Sequence, residues 1–264
     1  MSRLILFSMY NDWYINENIP VYLKELKKNC DKLIVLSNHW YIDTKQLKRI
    51  QDIASIEFVE NHGYDFWMYN AYFVTNPTVI NEYDKILLCN DSVLIHKPLD
   101  NIFKRLDELD KEYMWYEDSW VGTEMIDKYE EKMQEKIKGY KLDYDDWWHI
   151  ESWFIQLQGK AKELLVDLIR NGVWWNKTSV IMEYELRWSQ IAKRKYSIGV
   201  INPLWNYNIK YTDKEGVSLC YQYPMKTIHN DSPFIKKDFR NYGYKWKFKW
   251  VIDYLCTEIA KTNL

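Results

Sequence analysis

The sequence predicts an α/β fold with a mostly parallel, Rossmann-like central sheet and helices on both faces. Three observations predict it. Short runs such as "RLILFSM", "KLIVLS" and "KILLC" are apolar throughout, as strands buried on both faces are. Helix-patterned stretches alternate with them, and the order strand, helix, strand, helix indicates parallel pairing with helices on both sides. Polar breaks come after the strands, at the carboxyl ends where such sheets bind their ligands.

Taken in order, "RLILFSMYN" is the first strand. Asn18 is placed to cap the next helix, with Pro20 in its first turn and Leu23, Leu26 and Cys30 along one face. "KLIVLSN" is the second strand, residues Thr44 to Ala54 a polar helix, and "SIEFVEN" a third short strand. Residues Tyr64 to Tyr83 are aromatic-rich and helical, with a stop near Asn76-Pro77. "KILLC" is the fourth strand, and "PLDNIFKRLDELDKE" a helix with Leu99, Ile102, Phe103 and Leu106 on one side.

In the second half "EYMWYE" and "WHIESWFIQLQ" have strand character. "KAKELLVDLIRNG" is a helix ending at Gly172, and "VIMEYELRWSQIAKRK" is another, before the strand "SIGVI". The charged run from Glu124 to Lys138 reads as a solvated helix or flap. No repeat or Pro/Gly/Ser linker divides the chain, so residues 1–264 are read as one compact domain.

A chain of 264 residues can bury a sizeable core. Its formal net charge of -2 lacks the basic surplus that phosphate backbones require, which argues against nucleic acid as a partner. Cys30, Cys89, Cys220 and Cys256 show neither CxxC pairing nor zinc-site spacing and read as reduced thiols. The apolar run at the N-terminus is too short for a signal peptide or a membrane span, and the expectation is a soluble cytoplasmic protein. Aromatic residues reach 17%, a load that suits thick cores or sugar-facing surfaces.

The candidate residues lie at the polar breaks. In "KILLCNDSVLI", Asp91 either caps the turn after the strand or faces a divalent cation or diphosphate, while Asn90 and Ser92 are suited to sugar or ribose hydroxyls. In "ENHGYDFWMYN", Gly63 suggests a turn with positive φ, and Asp65 among aromatics needs hydrogen-bonding partners. "DDWWHIESWF" sets His149 and Glu151 on one face of a strand, as an ordinary pair or as ligands of a substrate hydroxyl. Glu183 and Glu185 begin a helix, where a carboxylate either complements the helix dipole or acts as a general base. His229 is either structural or a metal ligand.

Together and in this order, "YLKELKKNCDKLIVLSN", "ENHGYDF", "YDKILLCNDSVL", "HIESWF", "VIMEYELRWSQ" and "SPFIKKD" resemble the rhamnan synthesis F family of polysaccharide glycosyltransferases, which have a GT-A-like fold. The resemblance spans residues 20 to 240. It implies a nucleotide-sugar donor, with the "NDS" triplet in the place of the Asp-x-Asp motif. On that reading Asp91 faces the metal (Mn or Mg) or the diphosphate, and His229 completes the metal shell. Asn61 and Asp65 face the nucleoside, and Tyr10, Asn90 and Ser92 belong to the same donor side. Glu183 falls at the acidic base of inverting enzymes, with Glu185 the near alternative, and His149 and Glu151 fall on the acceptor side. Residues 1–110 are then the donor-binding half and 111–264 the acceptor-binding half. Trp67 and "VLIHKP" stand where the family often has glycine and Gly-Pro, and Glu151 stands where it often has glutamine.

The expected function is transfer of rhamnose or another hexose to a glycan or lipid-linked acceptor in surface polysaccharide synthesis. The alternative is a non-catalytic carbohydrate-binding protein that uses its aromatics as stacking platforms. A nucleotidyltransferase would show a Gly-rich basic loop near the N-terminus, and "FSMYNDWYINEN" has neither glycine nor lysine. The basic and aromatic "YKWKFKW" suits the headgroup region of an anionic membrane, which makes peripheral membrane contact a further expectation.

Overall fold

Alternate residues of each central strand enter two separate apolar layers, and this accounts for their unbroken hydrophobicity. The structure, a computed structural model, describes residues 1–10, 15–38, 44–60, 62, 64–120, 148–150, 152–173, 180–202 and 233–236. In the first half β1 (Arg3–Met9), α1 (Asn18–Lys27), β2 (Lys32–Ser37), α2 (Thr44–Gln51), β3 (Ser55–Phe58), α3 (Tyr64–Thr75), α4 (Val79–Glu82) and β4 (Lys85–Asn90) succeed one another. After the triplet come β5 (Val93–Ile95), α5 (Asp100–Leu109), β6 (Tyr113–Trp120), β7 (Trp148–Ile150) and β8 (Phe154–Gln158). A 3-10 turn (Gly159–Lys162) leads into α6 (Glu163–Asn171), and a π-helix (Ile181–Arg187) runs directly into α7 (Trp188–Lys195). The described chain closes with β9 (Ile198–Asn202) and β10 (Phe234–Lys236).

The main sheet has the order β3-β2-β1-β4-β8-β6-β7, with β9 on the other edge of β6. Pairing is parallel from β3 to β4 and between β6 and β9, and antiparallel where β8 and β7 intervene. The sheet is therefore mostly parallel, flanked by helices on both faces, and Rossmann-like. β8 and β7 form one interrupted strand along β6. Trp115 pairs with Ile155 but Asp118 with Ile150, so two residues of β6 stand against four of the returning strand. A bulge of this kind bends the strand and re-aims side chains beside it.

One apolar layer joins Leu4, Leu6, Ile86, Leu88, Tyr113 and Trp115 to α3, α6 and α7. The other joins Ile5, Phe7, Leu87, Cys89, Met114 and Tyr116 to α1 and α5. The aromatic load serves these layers first: Trp115, Trp153, Trp188, Tyr69 and Tyr113 are all buried.

Among the described residues the helical expectations hold with shifted ends; the charged run from Glu124 to Lys138 and the segment "YKWKFKW" lie outside them. The stretch from Tyr64 breaks after Thr75, at Asn76-Pro77, and resumes as the single turn of α4. Leu99, Ile102, Phe103 and Leu106 are buried under α5 as their spacing requires, and Gly172 stops α6 with a left-handed φ of 62°.

Asn18 departs from expectation. It is the first residue of α1, and its side chain does not cap that helix. The Asn16 carboxamide takes that role, accepting the Asn18 N–H at 2.8 Å. Asn18 instead faces β5, donating to the Ile95 carbonyl at 2.8 Å and accepting the Ile95 N–H at 2.9 Å. Both backbone groups of Ile95 are thus occupied on that edge, and β10 pairs on the other through Leu94 and Ile235, with His96 N–H donating to Pro233. A buried edge left without such partners would cost more than a lost cap stabilises.

At the opposite end of the sheet, Arg3 donates to Gln156 at 3.1 Å and to Asp107 at 2.5 Å, and Lys85 donates to the same carboxylate oxygen at 2.7 Å. Burial pushes the Asp107 carboxyl up, but the Lys85 and Arg3 contacts outweigh it and hold the group below the usual carboxylate range.

Candidate functional site

Asn90 ends β4 and shapes the turn beyond it. Its Oδ1 accepts the Ser92 N–H at 3.0 Å and the Ser92 hydroxyl at 2.6 Å, closing an Asx turn. Its Nδ2 donates to Asp65 Oδ2 at 2.5 Å. The turn-capping role therefore belongs to Asn90, and the carboxylate of Asp91 is left to other work. Asp91 is half-buried; its N–H donates to Ser8 O at 3.1 Å and its Oδ1 accepts the Tyr10 N–H at 3.4 Å.

The two polar breaks "GYDF" and "NDS" thus meet. Alternation along β4 turns Asn90 toward the α3 side with Ile86 and Leu88, where Asp65 lies on the first turn of α3. Ser8 points to the same side and donates to Met68 Sδ at 3.2 Å. Lower on α3, the buried Tyr69 hydroxyl donates to the Cys89 carbonyl at 2.7 Å, so the helix holds the strand end at two successive residues. On the α1 side, Tyr22 is fully buried, and its phenol is pushed well up by burial and then by the nearby Cys89 and Asp91. The Asp91 charge also adds to the upward shift of the Tyr69 phenol on the α3 side, after burial, Asp65, Cys89 and Tyr22.

Two exposed aromatics flank this cluster, Tyr10 at 64% and Tyr64 at 48% exposure. Gly63 lies outside the described residues; the positive φ at the entry to α3 belongs to Tyr64, at 63°. A bulky residue there carries steric strain of about 1–2 kcal/mol.

Glu183 is buried on the π-helix, one residue before Tyr184, whose ring stacks on Phe66 of α3 at 4.8 Å. That contact puts the amino-terminal end of the π-helix beside Asp65's neighbour. Glu185, on the same π-helix, is half-buried, and its charge adds to burial in pushing the Tyr113 phenol up. A π-helical turn carries a widened register and occurs often at functional positions.

His149 lies in β7 opposite Ser119. Asn61, Glu151 and His229 lie outside the described residues. Among the described residues no group of three or more His, Cys, Asp or Glu side chains is placed to hold a metal ion. The carboxylates of Asp65 and Asp91 are hard oxygen donors, the kind that Mg²⁺ or Mn²⁺ takes in combination with substrate phosphates. Among the described residues no helix is long and apolar enough to cross a membrane.

No family model matches the chain, and no curated protein does. Solved structures are similar to it in fold. One is a Bacillus anthracis protein described as a glucose-1-phosphate thymidylyltransferase, in complex with a sucrose, at TM-score 0.47 and 7% identity over 77% of this chain and 87% of that one. Another is 4-diphosphocytidyl-2C-methyl-D-erythritol synthase from Anaerococcus prevotii, at TM-score 0.42 and 11% identity over 81% and 92%. Likeness at this level says nothing of chemistry, which rests on the side chains.

One buried acid carries almost no signal in the sequence. Glu117, at 3% exposure, lies within β6, two residues beyond Trp115 and one before the pairing with β7 begins. Its only sequence signal is an acid after the aromatic run "YMWY".

Proposed function

We propose that this protein is a glycosyltransferase of the nucleotide-sugar-dependent kind, acting on a glycan or lipid-linked acceptor. The observation that carries the reading is the Asp65–Asn90 hydrogen bond, which joins the two most distinctive stretches at the carboxyl ends of parallel strands. In this reading Asp91 meets the donor diphosphate, with Tyr10 and Asp65 toward the nucleoside, and Asn61 and His229 join the donor side. Asn90 and Ser92 hold the turn that presents Asp91. A divalent cation bound there with the diphosphate would neutralise charge on the departing nucleotide.

Glu183 is the base that takes the proton from the acceptor hydroxyl as the new glycosidic bond forms and the bond to the diphosphate breaks, giving inversion. Glu185 is the lesser candidate. His149 and Glu151 are assigned to the acceptor.

The test is a thermal-shift panel of UDP, GDP, dTDP and their hexose conjugates, with and without Mn²⁺. A ligand at 100 times its Kd raises stability by about 2.7 kcal/mol, so a donor stands out from its analogues. If no nucleotide or nucleotide sugar shifts the transition, the reading is wrong. With a donor in hand, Glu183→Gln should lower transfer by about 10²–10⁴-fold while leaving donor binding intact; near-normal turnover would remove Glu183 as the base.

A further inference from the structure

We infer that Glu117 binds the hydroxyls of the transferred sugar, an inference that rests on the nucleotide-sugar reading above. Leu88, Ile155 and Trp115 lie in one row across β4, β8 and β6, as do Leu87, Gln156 and Met114. Trp115 is thus level with Leu88, two strands away at about 10 Å, and Glu117 follows Trp115 by two residues as Asn90 follows Leu88.

Three further observations support the inference. β6 runs in the same direction as β4, and Glu117 lies just past the last β6 residue paired with β8, as Asn90 lies just past the last β4 residue paired with β8. Tyr113 and Trp115 belong to the α3 layer, and alternation turns Glu117 to that side, where Ser8, Asn90 and Asp65 lie. Opposite Tyr116 and Glu117 the returning strand is two residues longer than its partner, so regular pairing gives way beside the carboxylate. Trp153, at the end of that bulge, accepts the Asn90 N–H at 3.3 Å and ties it to the triplet.

The chemistry fits one ligand class. A carboxylate presents up to four acceptor positions and matches neighbouring hydroxyls on a pyranose ring. On this assignment a bare nucleotide makes no contact with Glu117, and its sugar conjugate does.

The experiment separates these parts. Wild-type protein, Glu117→Gln and Glu117→Asp are titrated with UDP, GDP and dTDP and with UDP-glucose, GDP-mannose and dTDP-rhamnose, in Mn²⁺, by calorimetry. In the wild type one conjugate binds more tightly than its own diphosphate. In Glu117→Gln the diphosphate affinity is unchanged, which also shows that the variant is folded, and the advantage of the conjugate falls at least tenfold. Glu117→Asp keeps part of the advantage, because the acceptor chemistry remains on a shorter arm. An undiminished advantage in both variants overturns the assignment of Glu117 and leaves the functional reading standing. Equal loss of diphosphate and conjugate also overturns it, and makes Glu117 a structural residue. If the wild type binds none of the six compounds, the functional reading fails and Glu117's role with it.

Discussion

The Asn90 side-chain nitrogen lies 2.5 Å from a carboxylate oxygen of Asp65, joining the end of β4 to the first turn of α3. An amide at position 90 satisfies two opposite demands, a donor for Asp65 and an acceptor for the Ser92 N–H and hydroxyl.

An acid at position 90 meets only one of those demands. Asn90→Asp sets two carboxylates against each other, and the pair ionises fully only at a cost. The folded-state pKa of one carboxyl is then raised above its unfolded value. The destabilisation is full at pH 7 and disappears as pH falls and the shared proton restores a donor. Urea titration should show a loss of about 2 kcal/mol at pH 7 and near-wild-type stability at about pH 4.5. Equal losses at both pH values would mean that repulsion is not the cause.

The Asn18 clamp on Ile95 makes a second prediction. Asn18→Ala leaves a buried N–H and a buried carbonyl of Ile95 unpaired, at a cost of about 2–4 kcal/mol. Asn18→Asp keeps the acceptor, loses the donor and adds a buried charge, so it should be no better than alanine at pH 7. A helix cap would behave differently, since aspartate replaces asparagine there with little loss. Denaturant midpoints of the two variants decide between the roles.

Much of this was legible in the sequence, and the reason is physical. Strands buried on both faces must be apolar throughout, so "RLILFSM", "KLIVLS" and "KILLC" announced themselves, as did the amphipathic face of α5. The polar break after β4 was legible because water-loving residues interrupt a core only where the chain leaves it. The division of labour inside the break was hidden. Whether Asn90 or Asp91 makes the Asx turn depends on pairing with α3, twenty-five residues earlier in the chain. Glu117 was hidden for a related reason: its place relative to Asn90 depends on β8 between them, and no local pattern reports a register across three strands. Asn18 misled because its residue type favours two roles, and only the neighbouring β5 decides which is used.

His96 predicts an acid-sensitive core. It is 4% exposed, and among the described residues neither ring nitrogen has a hydrogen-bond partner. Burial, then the adjacent Lys97, lower its pKa to about 4, with the Pro233 carbonyl offsetting part of the shift. In the unfolded chain the ring protonates near pH 6.5. Between those values the unfolded state holds the extra proton, so stability falls as pH drops from about 6.5 to about 4, by roughly 2–3 kcal/mol in all. His96→Leu should be at least as stable as wild type at pH 7, because an unpaired buried polar group is removed, and should lose much less on acidification. Parallel slopes for the two proteins between pH 6.5 and 4.5 would show that His96 is not the group responsible.

Asp91 separates metal binding from folding. Its backbone N–H is held by Ser8, and its carboxylate accepts a long hydrogen bond from Tyr10, so the isosteric Asp91→Asn keeps the shape of the turn. Stability should change by less than about 1 kcal/mol, as at other sites where no buried network is broken. The charge, however, is what a hard cation and a donor diphosphate would share. Mn²⁺ should therefore raise the thermal shift produced by the cognate nucleoside diphosphate in the wild type and have no such effect in Asp91→Asn. A Mn²⁺ increment that survives the substitution would place the cation on other ligands. A wild type indifferent to Mn²⁺ would remove Asp91 as a metal ligand, since a carboxylate without a cation repels a diphosphate.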